Sequence, residues 1–93
     1  MKYIDLVLCQ HPNDNRNFLF VAPAWSRLQR GDNVMVDTRN GKCLAIVQDT
    51  ALVEKDSDLY IFIVTASKAT LPLKKVISKI EYHEFEYEEE SDE

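Results

Sequence analysis

The chain reads as a mainly β, small α+β domain. The expected form is a compact, bent antiparallel sheet, or a partly open SH3-like or OB-like barrel of about five to six strands, with one short helix near 72–79. Three observations predict it. Residues 28–49, LQRGDNVMVDTRNGKCLAIVQD, set two apolar alternating runs around Asn40-Gly41. Further short apolar runs are separated by tight polar turns along the chain. Ninety-three residues, 45% of them hydrophobic, suffice for one core, and two glycines and three prolines leave no room for a linker.

Residues 2–9 (KYIDLVLC) alternate Tyr3, Asp5 and Val7 against Ile4, Leu6 and Leu8, and read as a strand with one clearly apolar face. QHPNDNRN (10–17) is turn-rich, and NFLFVA (17–22) reads as the second strand of an N-terminal hairpin. PAWSRLQRGD (23–32) is a connection, with one helical turn at Ser26–Gln29. Trp25 in that connection is read as a lid over one end of the barrel, with a partner-binding anchor as the alternative. Arg30-Gly31-Asp32 spells an adhesion tripeptide, but the favoured reading is a turn in which Gly31 supplies an unusual backbone angle and Asp32 a side-chain bond.

Asn-Gly suits a two-residue type I′ turn. That register opposes Arg39 to Lys42 at an exposed tip, and puts Val34, Val36, Ala45 and Val47 on one apolar face. The second strand runs on through Asp49-Thr50 into Ala51–Glu54, with a bend or bulge. KDSD (55–58) is a turn, and LYIFIVT (59–65) reads as a strand buried on both faces. In LPLKKVISKI (71–80), Pro72 opens a helix that aligns Leu73, Val76, Ile77 and Ile80 on one side and Lys74, Lys75, Ser78 and Lys79 on the other. EYHEFEYEEE then looks like a last strand fading into an acidic end. The domain is expected over 1–87 and a disordered acidic tail over 88–93.

Two patterns carry a resemblance. FLFVAPAWSRLQRGDNVMVDTRNGKCLAIV, followed by PLKKVISKI and FEYEEE, resembles small proteins carried by phages and prophages of Gram-positive bacteria. The run L-x-x-GD-x-V-x-V-x-T-x-x-G at Leu28–Gly41 is similar to the entry strands of many small β-barrels. The first implies a phage or prophage setting and the second a barrel; neither brings a functional residue with it.

No stretch is long and apolar enough to span a bilayer, and MKYIDLVLCQ lacks the pattern of a cleavable signal. Cys9 and Cys43 lie far apart in apolar runs, outside any zinc-ligand spacing, and read as reduced core residues of a cytoplasmic protein. No metal or other cofactor is expected. His83 with Glu81 and Glu84 is the nearest approach to a metal set, but strand alternation divides them. Ser26, Ser57, Ser67 and Ser78 have no base or oxyanion context, and no phosphate loop exists, so an enzyme is not expected.

The net charge of −5 is unevenly placed. Residues 1–80 hold all eleven Lys and Arg and eight acids, a net of +3; residues 81–93 hold the other eight acids. Lys68, Lys74, Lys75 and Lys79 are the densest basic cluster, with Arg27, Arg30, Arg39 and Lys42 elsewhere. The tail acids Glu88, Glu89, Glu90, Asp92 and Glu93 are read as solubilising or self-screening. The functional expectation is a non-enzymatic, phage- or prophage-encoded module that binds another protein. Trp25, Arg39, Lys42, Lys68, Lys74, Lys75 and Lys79 form its candidate surface. The alternatives are a barrel that binds nucleic acid through those lysines with Tyr3, Tyr60, Phe62 and Tyr82, or an acidic phosphate mimic that inhibits a host enzyme.

Overall fold

The computed structural model describes residues 2–80. The expected last strand after Ile80 and the acidic tail, including Tyr82, His83 and Glu88 to Glu93, lie outside the described residues. Five strands, β1 (Tyr3–Gln10), β2 (Phe18–Pro23), β3 (Asn33–Thr38), β4 (Gly41–Glu54) and β5 (Lys74–Ile80), carry one helix, α1 (Asp58–Ala66), and a 3₁₀ helix, Ala24–Ser26. The strands close into a ring in the order β1-β2-β5-β3-β4. The mainly β class is as expected, but the sheet is mixed rather than antiparallel. Alternating directions cannot close a ring of five, and the β2–β5 seam is the parallel pair.

Both hairpins form where turn chemistry places them. In the second, the register differs by two residues from the expected one. Thr38 opposes Gly41, Asp37 opposes Lys42 and Val34 opposes Ala45. Positive φ falls on Gly41 (+100°) but not on Asn40, so the loop is Arg39-Asn40 closed by a bulge glycine, not a type I′ Asn-Gly turn. Two interactions favour this register. The Thr38 hydroxyl donates to the Gly41 carbonyl (2.7 Å) and accepts from the Asn40 amide (3.1 Å). Lys42 now opposes Asp37 instead of Arg39, replacing like charges by opposite ones. A two-residue shift preserves side-chain parity, so Val34, Val36, Ala45 and Val47 still share the inner face, all at 0% exposure.

Strand β4 is long because it serves two neighbours. Its first half pairs with β3, and it pairs with β1 from Ile46 to Glu54, with a bulge at Gln48 between the Cys9–Val47 and Leu8–Asp49 pairs. Strand β1 is buried on both faces. Val7 and Cys9 join Phe20, Ala22 and the four residues of the second hairpin inside the ring. Leu6, with Ile4 and Leu8 beside it, packs outward against Tyr60 and Val64 of α1.

Two elements exchange roles relative to expectation. Residues 59–65 are helical, not a central strand, and 74–80 form a strand, not a helix. The all-apolar LYIFIVT has no period of its own, so its ends and its packing decide. Ser57 caps the N-terminus, its hydroxyl accepting from the Tyr60 amide (3.2 Å). At the other end the Ala69 amide bonds the Val64 carbonyl and the Lys68 amide the Thr65 carbonyl, with Lys68 left-handed (φ +57°). That is a Schellman termination. The helix covers the outer apolar face of β1, which would otherwise meet water. Residues 74–80 complete the ring, turning Val76 towards the core beside β3.

Candidate functional site

The end of the ring opposite the Arg39-Asn40 turn is built from the starts of β1 and β2's exit. Pro23 (φ −63°) leads into the 3₁₀ helix, and Arg27, left-handed at φ +56°, ends it. That reversal sends Leu28 into the core, where it is 6% exposed. Trp25 stays outside at 79% exposure, so the lid over this end is Leu28, and the expected lid role of Trp25 is corrected. A short helix has one inward direction per turn, and the chain spends its inward step on the residue after the reversal.

Trp25 is nevertheless anchored. The neighbouring Ser26 hydroxyl donates to Asp5 Oδ2 (3.3 Å) across from β1. Asp5 shares the inner face with Val7 and is 6% exposed. Burial pushes its carboxyl above the usual carboxylate range, while the Ser26 bond acts the other way. Asp5 opposes Leu52 across the β1–β4 ladder, and Tyr3 lies two pairs further out, on the same face. Tyr3 and Leu52 are both more than half exposed. The surface is therefore an exposed indole on a short, fastened segment, beside apolar area and a shielded carboxylate. Such a surface offers apolar contact area at low ordering cost.

The basic candidates do not join it. Arg39 and Lys42 sit at the far end of β4, in the turn and opposite Asp37. Lys68 terminates α1. Lys74 and Lys75 are consecutive on β5, opposite Phe20 and Val21, and so point to opposite faces. Lys79 lies 3.6 Å from Asp32. The lysine face expected from a helix at 72–79 is dispersed by the strand. Of the aromatics considered with it, Tyr60 is buried on the face of α1 that packs on β1, Phe62 is exposed on the same helix and Tyr3 is at the ring's end.

Other polar groups have structural duties. Gly31 takes φ +93° as expected, and Asp32 accepts from the Gln29 amide (2.8 Å), which fixes the Arg30-Gly31-Asp32 turn. His11 Nδ1–H donates to the Leu44 carbonyl (3.0 Å), with Phe18 and Phe20 around its ring. Arg16 pairs with Asp14 at 2.8 Å and holds that carboxyl down at about 2. Cys9 is buried, its thiol pushed up to about 12, and Cys43 is half-buried; both are free. Among the described residues no three His, Cys, Asp or Glu side chains converge on a metal position, and no helix is long and apolar enough to cross a membrane.

The sequence reading missed two features of the molecule's surface. Asp5 stood out only as the charge interrupting an apolar strand. Leu59, Ile61 and Phe62, at 54%, 53% and 68% exposure, face outward because the segment read as a buried strand is an apolar helix with one face covered. Comparison with protein-family models, with curated proteins and with solved structures gave no match for this chain.

Proposed function

We propose that the protein is a non-catalytic interaction module whose ring presents Trp25 to another protein. The observation that carries this reading is the 79% exposure of an indole whose own segment is pinned by Pro23, Leu28 and the Ser26–Asp5 bond. Exposing so much apolar area costs solubility unless a partner covers it, and tryptophan concentrates binding energy at interfaces. The dispersal of Lys68, Lys74, Lys75 and Lys79 supports a protein partner over a nucleic acid, which is held by a continuous basic stripe. The resemblance to phage and prophage proteins directs the search to a Gram-positive host.

The test is capture from host lysate with the full chain and with Trp25→Ala, each with and without nuclease. A protein held by the full chain, indifferent to nuclease and lost with Trp25→Ala, is the expected result. Because Trp25 buries little within the chain, the variant should keep its melting temperature. Capture that disappears with nuclease replaces this reading by the nucleic-acid one. Capture that survives Trp25→Ala removes Trp25 from the site.

A further inference from the structure

Strand β3 ends its pairing with β4 at the Asn33–Ile46 pair, and Gly31 and Asp32 add backbone bonds only at Val47. From Gln48 to Glu54, β4 has β1 on one side and, among the described residues, no strand on the other. The Lys55 amide donates to the Lys2 carbonyl (2.8 Å) at the end of the β1–β4 ladder. Antiparallel pairs alternate between those that exchange bonds and those whose backbone points away. Counting back from Lys2–Lys55, the residues Val53, Ala51 and Asp49 bond to β1. Thr50, Leu52 and Glu54 turn their amides and carbonyls outward. The Thr50 amide fits this phase, for it is bonded to its neighbour's Asp49 Oδ1 (2.9 Å) and not to β1.

We propose that this edge pairs with the same edge of a second copy of the chain, antiparallel and with Leu52 on the two-fold axis. Three features favour a second copy as the occupant. The phase is self-complementary: with Leu52 opposite Leu52, Thr50 meets Glu54 of the second copy, and every residue brought into bonding position is one whose backbone points outward. The charges match in the same register, since the exposed Asp49 falls opposite the exposed Lys55 of the second copy, twice by symmetry. The edge is also open at its centre. It carries no proline, and at its centre Leu52 is 59% exposed. Directly opposed residues share a face, so Ala51 meets Val53 of the second copy on the side that carries α1. Both α1 helices then lie on one side of a continuous sheet. The proposal does not depend on the role of Trp25.

Sedimentation of the full chain over a concentration series should show a reversible dimer. Lys55→Glu opposes two like-charged pairs across the axis and should weaken that dimer by ~10-fold or more. Adding Asp49→Lys restores opposite charges and should recover the affinity. Leu52→Pro removes an outward amide that β1 does not use, and should abolish dimerisation in a folded chain. If that variant fails to fold, the charge swap alone decides. A chain that remains monomeric at every concentration overturns the proposal, as does a dimer indifferent to Lys55→Glu or one that the double variant fails to restore. A monomer with Thr50, Leu52 and Glu54 amides protected from exchange overturns it too, because residues 81–93 of the same chain would then be covering the edge.

Discussion

Asp5 shows most clearly how one residue's environment sets its cost. It sits on the inner face of β1, where its neighbours in alternation are Val7 and Cys9, and it has one hydrogen bond, from Ser26. Ionised, it gives up hydration that a single hydroxyl does not replace. The folded state therefore binds its proton more readily than the unfolded chain, and stability falls as pH rises through the folded pKa. Asp5→Asn keeps an oxygen for Ser26 and removes the charge, so its melting temperature should exceed that of the native chain at pH 7. The gap should close as pH falls through the folded pKa towards 3.8, where the native carboxyl also becomes neutral. Asp14 works in the opposite sense. Arg16 lowers its pKa to about 2, so its contribution is present above 3.8 and is lost as pH falls towards 2. Melts across this range would refute the account of Asp5 if the two chains ran parallel. A second residue-scale expectation separates two turn geometries. Gly41, at φ +100° with open space where a Cβ would stand, should lose about 1–2 kcal/mol on substitution by Val, from backbone strain alone. Asn40 does not have positive φ, so Asn40→Ala should change stability by less than about 0.5 kcal/mol. A type I′ turn would make both changes costly, and chemical denaturation of the pair distinguishes them.

At the scale of elements, what could be read in the sequence was what local chemistry determines. The two hairpins follow from their turn residues, and the run of β4 through Asp49-Thr50 to Glu54 follows from sustained alternation across a bulge. The inner face of Val34, Val36, Ala45 and Val47 was legible even though the register was not, because parity survives a shift of two. The register itself depended on the Thr38 hydroxyl and on the Asp37–Lys42 pairing, which compete with the intrinsic preference of Asn-Gly. The exchange of helix and strand has a different cause. LYIFIVT is apolar at every position and so fits either period, while Leu73, Val76, Ile77 and Ile80 fall at helical spacing by coincidence. Ser57 ahead of Asp58 was a helix-start signal within KDSD, but it reads equally well as a turn until β1 is known to need covering on its outer face. The candidate site shared the same limit. Trp25 was singled out, yet whether it or Leu28 would turn inward depends on the left-handed Arg27, which no residue preference announces. The lysine cluster was an artefact of reading 72–79 as a helix.

Over the whole molecule, burial is unequally distributed around the ring. Strand β1 has neighbours on both sides, and Leu6, Val7 and Cys9 are at most 2% exposed between the ring's interior and α1. Strand β5 is the opposite. Val76 is its one half-buried residue and the other six are exposed. It meets β2 at only two positions, Phe20–Lys74 and Val21–Lys75, and its pairing with β3 is interrupted by a bulge. Parallel pairing is also slightly weaker per residue than antiparallel. A closed ring opens first where the fewest apolar contacts are lost, which is the β2–β5 seam. Local opening energies should then span a wide range within one small domain. Amide exchange of the full chain should find Val76–Ile80 the least protected strand residues. Leu6–Cys9 should exchange only through global unfolding, with the denaturant sensitivity of the whole domain. Val76→Ala should widen the difference, releasing β5 further while leaving the relative protection of β1 and β2 in place. Equal protection of β5 and β1 would mean that the ring opens as one cooperative unit, and that the seam is held by something other than the apolar burial seen here.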